Sequence, residues 1–275
     1  MNRTEPFKVR NLTFPVEARA ARFWHGGRKS VSTLFDNFSI FFPKGERFFV
    51  ASVIAHRSHV TDPALLEAVR AFCGQEGCHG REHERYNALL ADHGYPVSQM
   101  EQRLEGLLTF LTRRAPKRWQ LGVTCAMEHF TSLLGDMILT QPKAFEGADP
   151  VMASLWRWHA LEENEHKAVA YDVYVAAGGT WPERSFVMAM TTIIFWSKVA
   201  EHQVRMMKAD DTLFSVAEWS QLFAFLFLRE GGGLLALLPK YLAYFKPGFH
   251  PWDFDNRALL ETWKQHYATD VGHAA

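Results

Sequence analysis

Polar and apolar residues are interleaved in long blocks that read as helices, and prolines and glycines punctuate them with little room for strands. Residues 1–15 form an extended lead-in, and a first helical stretch covers about 17–36. Phe41-Phe-Pro-Lys-Gly45 then predicts a break before a segment carrying Glu46 to His56. Asp62-Pro63 opens a helix that runs to about Asp92, because aspartate caps the orphan amides and proline at the first helical position forfeits no hydrogen bond. Ser98-x-x-Glu101 reads as a capping box for a helix ending near Arg114, and the next runs from Lys117 to just before Gln141-Pro142. Asp149-Pro150 repeats the start signal, with a continuous helix of roughly seven turns expected as far as Gly178-Gly179. Trp181-Pro182-Glu183 opens another, reaching about Lys208.

Two of these blocks carry the same polar interruption of an apolar face, Glu76-x-x-His79 and Glu163-x-x-His166. Residues three apart share a helix face, so each motif aims a carboxylate and an imidazole at one point. His83 extends the first stripe to i+7, and His159 begins the second at four residues before Glu163. Lone glutamates, Glu46 and Glu128, fall on the helices before and between the two motifs. The order Glu, Glu-x-x-His, Glu, Glu-x-x-His is that of a ferritin-like four-helix bundle whose inward side chains hold two metal ions.

Four buried carboxylates without compensation would cost several kcal/mol each. Two divalent cations balance Glu46, Glu76, Glu128 and Glu163 to zero charge, with Glu76 and Glu163 bridging, Glu46 and Glu128 terminal, and His79 and His166 each on one ion. Oxygen and imidazole donors without thiolate suit iron first and manganese second. His159 is expected as a further ligand, with hydrogen bonding to a ligating carboxylate as its alternative. For His83 that alternative weighs more than direct ligation. Glu165 should face solvent or support a ligand. His129, about 100° from Glu128, is structural. Thr124 and Ser132, one turn either side of Glu128, line a substrate or oxygen cavity or serve helix packing.

Composition narrows the rest. Thirty basic against thirty acidic residues leave no net charge and no basic stripe, which argues against nucleic acid as a partner. Cys73, Cys78 and Cys125 form no CxxC pair and fit a reducing compartment, and the N-terminus lacks the apolar core of a signal peptide. A cytoplasmic address is expected, with contact at the inner membrane face left open. No stretch reaches the roughly 18–20 apolar residues of a membrane span. The greasy segments Phe186 to Trp196 and Trp219 to Leu238 admit core burial, a homodimer interface, shallow membrane contact or an apolar tunnel for a lipophilic substrate. One helical domain over 1–275 is expected, with the metal-bearing bundle at about 40–180 and hydrophobic C-terminal helices at about 182–246 packed on it.

The chain resembles the predicted metal-dependent hydrolases, a bacterial ferritin-like group, in Gly74-Gln-Glu-x-x-His79, Arg81-Glu-His83 and Trp158-His-Ala-x-Glu-Glu-x-Glu-His-Lys-Ala168. Its metal motif is also similar to that of p-aminobenzoate N-oxygenase-type di-iron enzymes, a resemblance that implies His159 as an additional ligand. The expected architecture is therefore all-α, a ferritin-like bundle with additional N- and C-terminal helices. The expected activity is that of a di-iron oxygenase or oxidase that uses O2 and an electron donor on a small or lipophilic molecule. A dinuclear hydrolase of an ester or amide is the alternative, and a metal-binding or storage protein the third reading.

Overall fold

A computed structural model describes residues 7–16, 21–228 and 233–270 of the chain. It is all-α. Among the described residues the sole β feature is an isolated bridge between His25 and Ala148. The frame consists of α1 (Lys29–Ile54), α2 (Pro63–Asp92), α3 (Val97–Arg114), α4 (Lys117–Thr140), α5 (Pro150–His166) and α6 (Val169–Ala176). Then follow α7 (Trp181–Ala209), α8 (Val216–Phe227), α9 (Gly233–Ala243) and α10 (Arg257–Asp270).

Two helix pairs set the site. The α1–α2 pair packs on the α4–α5 pair through α1 against α4 and α2 against α5 and α6, an arrangement consistent with a ferritin-like bundle. Helix α7 lies along α4 and α1, and α9 leans on α4 and α8. Helices α4 and α5 approach closely at Gly135 of α4, where an added Cβ would sit 3.0 Å from Ala160 O and 2.8 Å from Asn164 Nδ2. Only a glycine lets α4 and α5 meet at that distance.

Both Asp-Pro starts form as the sequence indicates. Asp62 Oδ1 accepts from the Ala64 amide (2.9 Å), and Asp149 Oδ1 accepts from Val151 (2.9 Å) and Met152 (3.1 Å). Three local expectations fail. The predicted break at residues 41–45 is absent, since α1 runs unbroken from Lys29 through Pro43. Proline deprives the Ser39 carbonyl, four residues earlier, of its helical donor, and Asn87 Nδ2 of α2 donates to that carbonyl instead (3.4 Å). The predicted capping box at Ser98 does not form, because Ser98 already lies inside α3 and Glu101 accepts from Asn87 Nδ2 (3.2 Å). The helix expected to continue to Gly178 is interrupted at Lys167 and Ala168, which separates α5 from α6. Of the first helical stretch at about 17–36, residues 17–20 lie outside the described residues, and α1 itself starts at Lys29.

No helix among the described residues is long and apolar enough to cross a membrane. The cysteines Cys73, Cys78 and Cys125 are all free thiols.

Candidate metal centre

The four glutamates and three histidines named by spacing converge in the middle of the bundle, all of them buried. Glu46 comes from α1, Glu76 and His79 from α2, Glu128 from α4, and His159, Glu163 and His166 from α5. Donor atoms of Glu46, His79, His159 and Glu163 all lie within 4.8 Å of one another, and so do those of Glu76, Glu163 and His166. Glu163 belongs to both groups. Its Oε1 is 2.9 Å from His159 Nε2 and 3.6 Å from His79 Nδ1, while its Oε2 is 3.5 Å from His166 Nε2. His166 Nε2 is also 3.3 Å from Glu76 Oε1 and 3.3 Å from Glu128 Oε2, which brings Glu128 to the same point.

These residues fit a cation by their unmet valence. Both oxygens of Glu46, Glu76 and Glu128, together with His79 Nδ1, Glu163 Oε2 and His166 Nε2, are buried with no hydrogen-bond partner. Buried polar atoms are normally paired, so orphaned donors gathered in this way fit a bound cation. Electrostatics agree. Burial pushes Glu46, Glu76 and Glu128 well above the ordinary carboxylate range, and the neighbouring glutamates add to that rise. For Glu163 burial acts in the same direction, but His166 and His159 outweigh it and hold the group well below its ordinary value. Burial, with the adjacent His159, keeps His79 well below its ordinary value and hence neutral, the form that ligates.

Each of the three inward imidazoles is held from behind. Gln75 Nε2 donates to Glu165 Oε2 (3.0 Å) and to Lys8 O (3.1 Å), so its Oε1 accepts from His166 Nδ1 (2.9 Å). The Nε2 of His79 donates to Glu162 Oε2 (3.0 Å), which leaves Nδ1 facing the centre. Ser39 Oγ donates to Asn87 Oδ1 (2.8 Å) and therefore accepts from His83 Nδ1 (2.9 Å). His83 Nε2 then accepts from His159 Nδ1 (2.8 Å). His159 Nε2 is left with a bare lone pair opposite the Glu163 carboxylate, an acceptor facing an acceptor unless a cation or proton lies between them.

His83 thus stands behind His159 rather than beside it. Glu165 is buried, which overturns the solvent-facing expectation: Arg10 grips it with Nη1 (2.6 Å) and Nη2 (2.8 Å). The same guanidinium reaches Glu162 Oε1 (3.1 Å), whose carboxyl burial pushes up to about 7. Spacing did not find Gln75, Arg10, Ser39 or Asn87. A signal for Gln75 was present, since it precedes Glu76 as Glu162 precedes Glu163, and each of the pair bonds the histidine of the opposite helix.

His129 is not near the centre; it packs between Tyr244 (4.9 Å) and Phe249 (5.4 Å), with burial lowering it to about 3. Thr124 bonds Ser52 (2.7 Å) and Ser132 bonds the His129 carbonyl (3.0 Å), so both serve packing.

On one side the lead-in closes the centre. The Phe7 ring lies 6.2 Å from that of His166, and Val9 packs onto Gly74. On the other side His159 and Glu163 border a cavity of about 530 Å³ whose remaining wall is almost entirely apolar. Phe186, Met190, Ile194 and Trp196 contribute to it, as do Leu226 and Leu234, so both greasy segments line a cavity.

A helical bundle with a buried His/Glu cluster of this kind defines the class of all-α metal proteins. The chain belongs to the predicted metal-dependent hydrolase family, whose model matches residues 8–255. No curated protein and no solved structure matches it.

Proposed function

We propose that this protein is a dinuclear metal-dependent hydrolase of an apolar ester or amide. One observation carries the reading: Glu163, common to both ligand groups, also borders the apolar cavity, so a substrate in that cavity reaches the centre directly. The proposed ligands are Glu46, Glu76, His79, His159 and Glu163 around one ion and Glu76, Glu128, Glu163 and His166 around the other. Glu163 belongs to both donor groups, and Glu76 would be shared with it. Bound divalent cations supply Lewis acidity and make water nucleophilic near neutral pH. Water adds across the acyl C–O or C–N bond, and a carboxylic acid and an alcohol or amine leave. The chain's own groups orient the imidazoles through Gln75, Glu162 and His83, keep His159 protonated on Nδ1, and exclude bulk water with the Phe7 to Phe14 strap and the aromatic cavity wall.

The family description supports hydrolysis over the O2 chemistry that the carboxylate-rich shell suggests. That shell, with its thiolate-free donors and apolar surroundings, supports a di-iron oxygenase as the second reading. Anaerobic assays separate the two. Protein loaded with Mn(II) or Zn(II) is expected to hydrolyse nitrophenyl esters without O2, and Glu163→Ala to abolish this. No turnover without O2, together with O2 consumption by the reduced iron form, would select the second reading instead.

A further inference from the structure

The cavity is elongated, and the centre opens onto its middle. One stripe of α4, made of Val123, Met127, Thr131, Leu134 and Ile138, lines it along one side. The lining on α4 extends from Trp119 to Gln141, about 33 Å along the helix axis at 1.5 Å per residue. The level of the centre follows from two contacts between α4 and α5. His166 Nε2 lies 3.3 Å from Glu128 Oε2, and Gly135 abuts Ala160 and Asn164. Glu163 therefore faces α4 between Glu128 and Gly135, with about 19 Å of lined wall towards Trp119 and about 14 Å towards Gln141.

The two halves differ in their surroundings but not in their chemistry. Towards Trp119 the wall is built by Phe110, Val123, Phe186 and Met190, and towards Gln141 by Ile138, Ala144, Phe225 and Leu234. Phe110 is 64% and Phe186 51% exposed, so the first half opens to the surface through an apolar lip. A volume of about 530 Å³ lies in the usual range for an organic ligand, yet spread over this length it suits a narrow, extended molecule rather than a compact ring system. Besides His159 and Glu163, the charged residues of the lining are Lys198, bonded to Glu201 (2.8 Å), and Arg114, exposed at the end of α3, and Thr131, Thr191 and Gln141 are its uncharged polar members, so among the described residues neither half offers a buried, unpaired charge to a head group.

We infer that the substrate is a long unbranched aliphatic compound whose reacting bond lies in the interior of the chain, with one apolar arm in each half of the cavity. The inference rests on the proposed function only in placing the reacting bond at Glu163.

Binding of hydrolysis-resistant dialkyl ketones of fixed carbon number, with the carbonyl moved from C2 to mid-chain, tests it through quenching of Trp119, Trp156 and Trp196, which line the cavity. Mid-chain isomers are expected to bind at least ten times more tightly than the C2 isomer to the metal-loaded protein, because only they fill both halves. Val123→Trp and Ile138→Trp each block one half. Each should weaken mid-chain binding about tenfold, whereas the C2 isomer should respond to one of them alone. Equal affinity for all isomers, or tightest binding at C2, overturns the inference, and this comparison needs no variant to fold. Hydrolysis of short soluble esters without isomer preference would sink this inference and leave the proposed function standing. Isomer selectivity without hydrolysis under any metal would do the reverse.

Discussion

His83 Nε2 lies 2.8 Å from His159 Nδ1, and this contact decides which nitrogen of His159 is free to bind a cation. Asn87 fixes Ser39, Ser39 fixes His83, and His83 in turn holds the His159 proton on Nδ1. Removing such a supporting partner typically costs 10–100-fold in metal affinity. His83→Phe fills a similar volume without the acceptor. It should weaken metal binding by about that factor in a chelator competition titration while leaving helicity unchanged. Unaltered affinity would mean that His159 is not a ligand or does not depend on His83.

Glu128→Gln should act with opposite signs on the two states of the protein. In the metal-free chain Glu46, Glu76 and Glu128 are pushed up by burial and by neighbouring glutamates, Glu163 among them. A raised folded value means that their contribution is favourable below the ordinary carboxylate range and is lost as pH climbs towards the folded value. Neutralising one carboxylate should stabilise metal-free protein at pH 8 by about 1–3 kcal/mol, and should remove most of the thermal stabilisation that added metal gives the unaltered chain. Chemical denaturation with and without chelator measures both. A loss of metal-free stability on substitution would contradict the account of the orphaned oxygens.

The convergence of these side chains was legible because helix periodicity converts spacing into a shared face. Glu76 and His79, or His159, Glu163 and His166, needed no tertiary information to be placed together. The helix starts at Asp62 and Asp149 were legible for the same local reason. What escaped was decided between helices. Pro43 reads as a break, yet Asn87 on another helix satisfies the carbonyl that it orphans. Spacing left Glu165 either facing solvent or supporting a ligand, and what settles its buried position is Arg10, some 150 residues away in sequence. The interruption at Lys167 falls where the chain meets the C-terminal region: Lys167 Nζ donates to Phe254 O (2.9 Å) and Asn256 Oδ1 (2.9 Å), contacts that no local pattern announces.

Asp36 gives a pH dependence away from the centre. Its Oδ1 accepts from Trp24 Nε1 (2.9 Å) and from the Tyr86 hydroxyl, Oδ2 has no hydrogen-bond partner, and burial raises the group from 3.8 to about 7. Because the folded value is raised, the stabilising contribution is complete below pH 4 and disappears as pH rises to 7. At about 1.4 kcal/mol per unit the change is of order 4 kcal/mol. Asp36→Asn keeps both donors supplied and should abolish this part of the decline, so that the variant gains on the parent between pH 4 and pH 8. Parallel stability curves for the two proteins over that range would refute the assignment.

Arg10 controls two of the three imidazoles at once. It bonds Glu162, which holds His79, and Glu165, which holds Gln75 and through it His166. Arg10→Ala leaves Glu162 without its cation and Glu165 with Lys264 Nζ at 3.8 Å, and breaking a buried pair in this way typically costs about 3–5 kcal/mol. The melting temperature should fall by several degrees, and metal affinity should fall with it because both histidines lose their fixed orientation. Arg10→Lys discriminates between charge and geometry. A lysine restores the charge but cannot present the planar fork that reaches both carboxylates, so it should recover more of the stability than of the metal affinity. Equal recovery of both would show that Arg10 acts through charge alone and does not position the ligands.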